Sequence, residues 1–136
     1  MTNAERAVVG ASLLDPNMIR EAVEHCSPAD FRDPNLGGVW ALMIGMRSAG
    51  DKVDPITVDA RIREEGTIRG YDAPALADLM TETPTASNIA HYARIVGEAA
   101  TKRRLAAAGM RMQQLAESDT ALAEVMDAAR GEWQAV

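Results

Sequence analysis

The sequence predicts an all-α protein: a compact head of about five helices, residues 1–84, followed by a long two-helix antiparallel hairpin, residues 85–136. Three observations carry this. Helix starts built on one device recur along the first half of the chain. Apolar residues fall at helical spacing nearly throughout. A stretch from about residue 86 to 117 then runs without proline.

The starts are Asp15–Pro16, Asp33–Pro34 and Asp54–Pro55, with Asp72 and Pro74 as a variant. An aspartate accepts hydrogen bonds from the unpaired N–H groups of a first turn, and proline at the first helical position forfeits none. Ala4, Ala7, Val8, Ala11 and Leu14 predict one face of a first helix. Met18, Ile19, Ala22, Val23 and Cys26 predict a second, and Leu36, Val39, Trp40, Met43 and Ile44 a third. Phe31, the only phenylalanine, is expected to plug the core from the loop between them. A fourth helix over 56–65 ends at Gly66, a left-handed cap, and a fifth over 73–82 carries Leu76, Leu79 and Met80.

The sixth helix is of another kind. After Thr85 or Ser87 as cap, Ile89, Tyr92, Ala93, Val96, Ala99, Ala100, Ala106 and Met110 form a stripe of mostly small residues, with Leu105, Met112 and Leu115 on a neighbouring track. At 1.5 Å per residue such a helix is roughly 45 Å long, longer than a small head is wide. Residues 117–119 read as a turn with Ser118 or Asp119 as the next cap. A seventh helix follows with Leu122, Val125, Met126, Ala129 and Trp133 in register. There is no internal repeat, low-complexity tract or flexible linker.

Composition narrows the function classes. The 136 residues are 47% hydrophobic and 25% charged, ordinary for a folded domain, and only 4% aromatic. The net charge of −6 opposes strong direct binding of nucleic acid. Cys26 is the single cysteine, which suits a reducing cytoplasm. No apolar run approaches the roughly 20 residues of a membrane span, and the N-terminal residues lack the basic start of a signal peptide.

No catalytic, cofactor or metal site is expected. "GMRSAGDK", residues 45–52, superficially resembles a phosphate-binding loop, but Asp51 separates Gly50 from Lys52 and Val53 takes the hydroxyl position. Glu21, His25 and Cys26 suggest metal ligation, yet the only other histidine is His91, and Cys26 belongs to an apolar stripe. Ser12, Ser48, Ser87 and Ser118 have no local histidine–carboxylate setting. Lys102, Arg103 and Arg104, with Arg94 and Arg111 on the same helix, are the one basic concentration. They read either as a solvated face, with Glu98 supporting Lys102, or as a contact for an acidic partner. A projecting two-helix hairpin encloses too little volume to bury both its apolar faces, so self-association, two-fold in the simplest case, is expected of it.

Several segments in order carry a family resemblance: "AERAVVGASLLDP", "SPADFRDP", "GDKVDPITV", and "TPTASNIAHYARIV" followed by "KRRL". From about residue 3 to residue 130 they resemble the N-terminal domain of bacterial and phage DnaB-type replicative DNA helicases. Gly37–Gly38 stand where that family usually has larger polar residues, and Tyr71–Asp72 replace its usual Gly-Gly. No RecA-like ATPase domain or Walker A motif follows in these 136 residues, so the chain resembles either one domain of a helicase or a free-standing regulator that binds a replicative helicase or its loader.

The resemblance implies a non-catalytic collar domain without a cofactor. It would form a homo-dimer, become a hexamer in the full-length helicase, and dock the C-terminal domain of primase, with a helicase loader as a further partner. It further implies that Ile95, Ala99, Leu105, Met112, Val125 and Met126 bury between or within hairpins. Arg103, Arg104 and Arg111 are then candidates for contact with primase or loader.

Overall fold

The computed structural model describes residues 2–136, the side chain of Thr2 excepted. Among these it is all helical, with seven α-helices and no strand: α1 (Thr2–Leu14), α2 (Ile19–Ala22), α3 (Pro34–Ser48), α4 (Pro55–Glu65), α5 (Ala73–Glu82), α6 (Ile89–Ala116) and α7 (Leu122–Gln134). The chain divides into two compact units, residues 1–97 and 98–136. The division falls inside α6, because Ile89, Ala93 and Val96 from its first turns belong to the core of the first unit.

The aspartate starts work as their chemistry dictates. Asp33 accepts from the backbone N–H groups of Asn35 and Leu36, Asp54 from Thr57, and Asp72 from Ala75. Asp15 likewise accepts from Asn17, but the helix it opens is short. Residues 16–18 form a 3-10 turn, α2 lasts only to Ala22, and the continuous helix expected up to Cys26 is absent. Beyond Ala22 the chain tightens into turns closed by bonds from the Glu24 and His25 N–H groups to carbonyls three residues back, and Pro28 then holds Ser27 extended. Val23, expected on the apolar face, is exposed, whereas Cys26 is buried. Gly66 caps α4 in the left-handed conformation, φ +74°, as expected.

In the first unit α1 packs on α3 and α5, and α4 packs on the same pair. Buried residues surround α1 on more than the one stripe the sequence suggested: Glu5, Val9, Ser12 and Leu13 are buried beside Ala4, Val8 and Ala11, while Leu14 is exposed. Trp40 is fully buried; its indole N–H donates to the Ser12 hydroxyl at 3.1 Å, which in turn donates to the Val8 carbonyl at 2.7 Å. Phe31 is buried and stacks on Trp40 with ring centroids 5.4 Å apart.

A polar network ties these elements together. The buried Glu5 carboxylate accepts from the backbone N–H groups of Arg32, at 2.8 Å, and Asp33, at 3.1 Å, just ahead of α3. A helix N-terminus is the electrostatically favoured seat for that anion. The second Asp33 oxygen accepts from the Tyr71 hydroxyl at 2.7 Å, and Asn35 accepts from the Arg69 N–H. Tyr71, one of the departures from the family pattern, thus fastens the 66–72 loop to the start of α3. Arg6 of α1 forks onto both oxygens of Glu82 at the end of α5, at 2.7 and 2.9 Å.

The start of α6 is seated just as firmly. Thr85 accepts from the Ser87 N–H and opens a 3-10 turn over residues 86–88 that continues directly into the helix. A Cβ on Gly97 would lie 2.2 Å from the His25 carbonyl oxygen. Only glycine permits that approach of α6 to the loop after α2.

Candidate functional site

The second unit is a helical hairpin made of the later part of α6 and all of α7. Arg111 of α6 pairs with Glu132 of α7, and the Arg104 guanidinium donates to the Val136 carbonyl at 3.4 Å. Partners whose numbers fall on one helix as they rise on the other make the arms antiparallel. At the connection the Ser118 hydroxyl donates to the Leu115 carbonyl at 2.7 Å. Ala121, not Ser118 or Asp119, occupies the cap position of α7, and no side chain caps it.

Between the arms the packing is thin. Ala108 is buried on α6, Met112 and Leu115 are half-buried on the same face, and Val125, Ala129 and Glu132 are half-buried on α7. Leu115 and Ala128 share the wall of a groove of about 330 Å³ with Arg111, Ser118 and Glu132. On α7 the largest apolar side chains face solvent: Leu122 is 75% exposed, Met126 54% and Trp133 62%. Spaced by four and seven residues, they lie within about 40° of one another around the helix axis and form one stripe. On α6, Met110 and Leu105 are exposed.

The residues expected to mediate self-association therefore divide. Met112 and Val125 are half-buried on the inner faces of the hairpin, whereas Leu105 and Met126 are exposed, and Ala99 is half-buried. Ile95 is exposed too, on the part of α6 that belongs to the first unit. Leu122 and Trp133, which the spacing put in one helical register with Val125, Met126 and Ala129, are the most exposed large apolar residues of α7.

The basic concentration is not one patch. Consecutive residues of a helix point about 100° apart, so Lys102, Arg103 and Arg104 fan out around α6. Arg104 donates to Thr101 at 3.1 Å as well as to Val136, and Arg111 is engaged by Glu132.

The remaining candidates have structural surroundings. Burial, with smaller contributions from Asp30 and Glu5, pushes the Cys26 thiol up to about 12, so the thiolate needed for ligation or attack is scarce. No group of three metal-ligating side chains gathers among the described residues. Residues 45–48 finish α3, and Gly50 at φ +80° makes the turn after it, with no strand ahead. Ser12 is buried against Trp40, Ser87 faces Thr85, and Ser118 closes α6. No helix among the described residues is long and apolar enough to cross a membrane.

The model of the DnaB-like helicase N terminal domain family matches residues 1–98. The replicative DNA helicase DnaB of Mycobacterium leprae (strain TN) is 35% identical over 133 residues, 95% of this chain and 22% of the relative. That of Leifsonia xyli subsp. xyli is 34% identical over 113 residues, 82% of this chain and 25% of the relative. The chain thus spans a quarter or less of the length of these relatives.

Among solved structures, the N-terminal domain of DnaB helicase from Mycobacterium tuberculosis superposes with a TM-score of 0.91 at 35% identity, covering 100% of this chain and 97% of that one. The N-terminal domain of DnaB helicase from Helicobacter pylori, whose structure was determined together with a study of its interactions with primase, shares the fold at a TM-score of 0.73 and 20% identity, covering 86% of this chain and 92% of that one. The region matched is the N-terminal domain and not the catalytic ATPase domain. The chain belongs to the DnaB-like helicase N-terminal domain family.

Proposed function

We propose that this domain is the non-catalytic assembly domain of a replicative DNA helicase in the cytoplasm. It pairs through its hairpin into a homo-dimer, contributes to a hexameric collar in the full-length context, and offers a docking surface to the C-terminal domain of primase. The observation that carries the reading is the apolar stripe Leu122–Met126–Trp133 on a hairpin in which, among residues 109–136, no side chain is buried. Exposed large apolar residues gathered on one face mark a surface that another protein covers. Family membership supports the helicase context, and the study of the Helicobacter pylori domain with primase supports primase as partner.

The same stripe sharpens the choice of seam residues. Met126 lies on it; on α6 Leu105 and Ile95 are exposed and Ala99 is half-buried, whereas Met112 and Val125 are half-buried on the inner faces of the hairpin. Arg103, Arg104 and Arg111 remain the candidates for partner contact, with Arg111 engaged by Glu132 and Arg104 by Thr101 and Val136.

Substitution separates the seam from the arms. Met126→Asp and Ala99→Glu should lower the mass measured by multi-angle light scattering to that of a monomer, with the helical circular dichroism of the head retained. An undiminished dimer in both variants would remove the hairpin as the seam. Capture of intact helicase by the free domain, without capture of primase, would favour a regulator of the helicase over a primase-docking collar.

A further inference from the structure

We infer that α7 and the distal end of α6 open as one unit while the first unit stays folded, so that the hairpin acts as a clasp and not as a rigid rod. Three features of the second unit converge on this. Among residues 109–136 none is buried, so opening sacrifices little apolar burial, whereas the core of the first unit draws fully buried side chains from α1, α3, α4 and α5. Few buried contacts and solvent-exposed helix are the marks of a segment that opens locally.

Both arms also carry a glycine inside the helix. Gly109 of α6 and Gly131 of α7 are exposed, and a Cβ at either would meet nothing within 4 Å. Crowding therefore does not explain them, unlike Gly97. The pairings of Arg104 with Val136 and Arg111 with Glu132 set the two glycines within about one helical turn of each other across the hairpin. Each arm is weakened at nearly the same level.

Arg111–Glu132 and Arg104–Val136 join the two arms, and α7 begins at Ala121 without a side-chain cap. Opening exposes Met112, Leu115 and Val125 together with the stripe already at the surface. On the reading that a second copy of the chain covers Leu122, Met126 and Trp133, pairing closes the clasp, and the hairpin's order becomes linked to dimerisation.

The test is native-state hydrogen exchange of the whole chain, read by mass spectrometry at concentrations where light scattering reports a monomer. If the dimer persists on dilution, the Met126→Asp variant replaces the parent. Amides of 122–134 should exchange on the order of a hundredfold faster than those of α3, after correction for intrinsic rates. Gly109→Ala and Gly131→Ala should each slow them about fivefold, the factor that the ~1 kcal/mol helix preference of alanine over glycine converts to. Glu132→Gln should speed them roughly twofold, with α3 unchanged. Protection of α7 equal to that of α3, or glycine variants that leave its exchange unaltered, would overturn the inference.

Discussion

Replacing Glu5 by glutamine tests how the head is held together. The carboxylate is buried and takes two backbone N–H bonds, at 2.8 and 3.1 Å, from residues 27 and 28 positions away in sequence. A glutamine keeps one acceptor oxygen and turns an NH2 group toward the other N–H. One charge-assisted bond is lost, worth ~1.5–3 kcal/mol, and a leucine, which removes both, should cost ~3–5 kcal/mol after its own apolar burial is credited. Urea unfolding followed by fluorescence is the assay. The buried Trp40 reports on the head, and a Trp133→Phe background removes the exposed indole. With a slope near ~2 kcal/mol per molar urea, Glu5→Gln should lower the midpoint by about 1 M, and Glu5→Leu by more. Midpoints within about 0.2 M of the parent for both would refute the idea that this carboxylate anchors the start of α3.

Two further predictions concern protons. The Thr57 N–H bond holds the Asp54 carboxyl below its ordinary value of 3.8, against a smaller opposing effect of burial. A depressed acid stabilises the fold fully above its unfolded value and loses that contribution as pH falls through the folded one. Asp54→Ala should therefore cost about 1 kcal/mol at pH 7, and the deficit should shrink below about pH 4; a deficit independent of pH would contradict the cap. Tyr71 moves the other way. Burial first, then its bond to Asp33, pushes the phenol up to about 12. Its contribution is complete below about pH 10 and is lost as pH rises toward 12. Ultraviolet titration of the phenolates should show a late step that Tyr71→Phe abolishes; an unchanged titration would show that the hydroxyl does not hold Asp33.

Much of the fold was legible because its punctuation is local. An aspartate before a proline caps the turn that follows it whatever the tertiary context, and α3, α4 and α5 begin where those pairs predict. Gly66 and Phe31 were equally readable, one from backbone conformation and the other from the scarcity of aromatics. What failed was long-range or ambivalent. Glu5 has no sequence-local clue, since its donors lie beyond the whole second helix. The helix over 18–26 gives way after Ala22 to turns with three-residue hydrogen bonds, a change that apolar spacing does not register.

The hairpin was the hardest part to read. One continuous apolar pattern in α6 serves two environments: Ile89, Ala93 and Val96 fill the core of the first unit, and Ala108, Met112 and Leu115 face α7. Periodicity counts such residues alike. It gives no way to tell Val125, which turns inward, from Leu122 and Met126 on the neighbouring track.

The central claim is that the hairpin surface is made to be covered by a second copy of the chain. Sedimentation equilibrium of the unmodified 136-residue chain from low to high micromolar concentration measures this directly. The account predicts a mass that rises from near the monomer's 14.6 kDa toward twice that value, and a Met126→Asp variant that stays at the lower one. A parent chain that remains strictly monomeric at the highest concentration would contradict it.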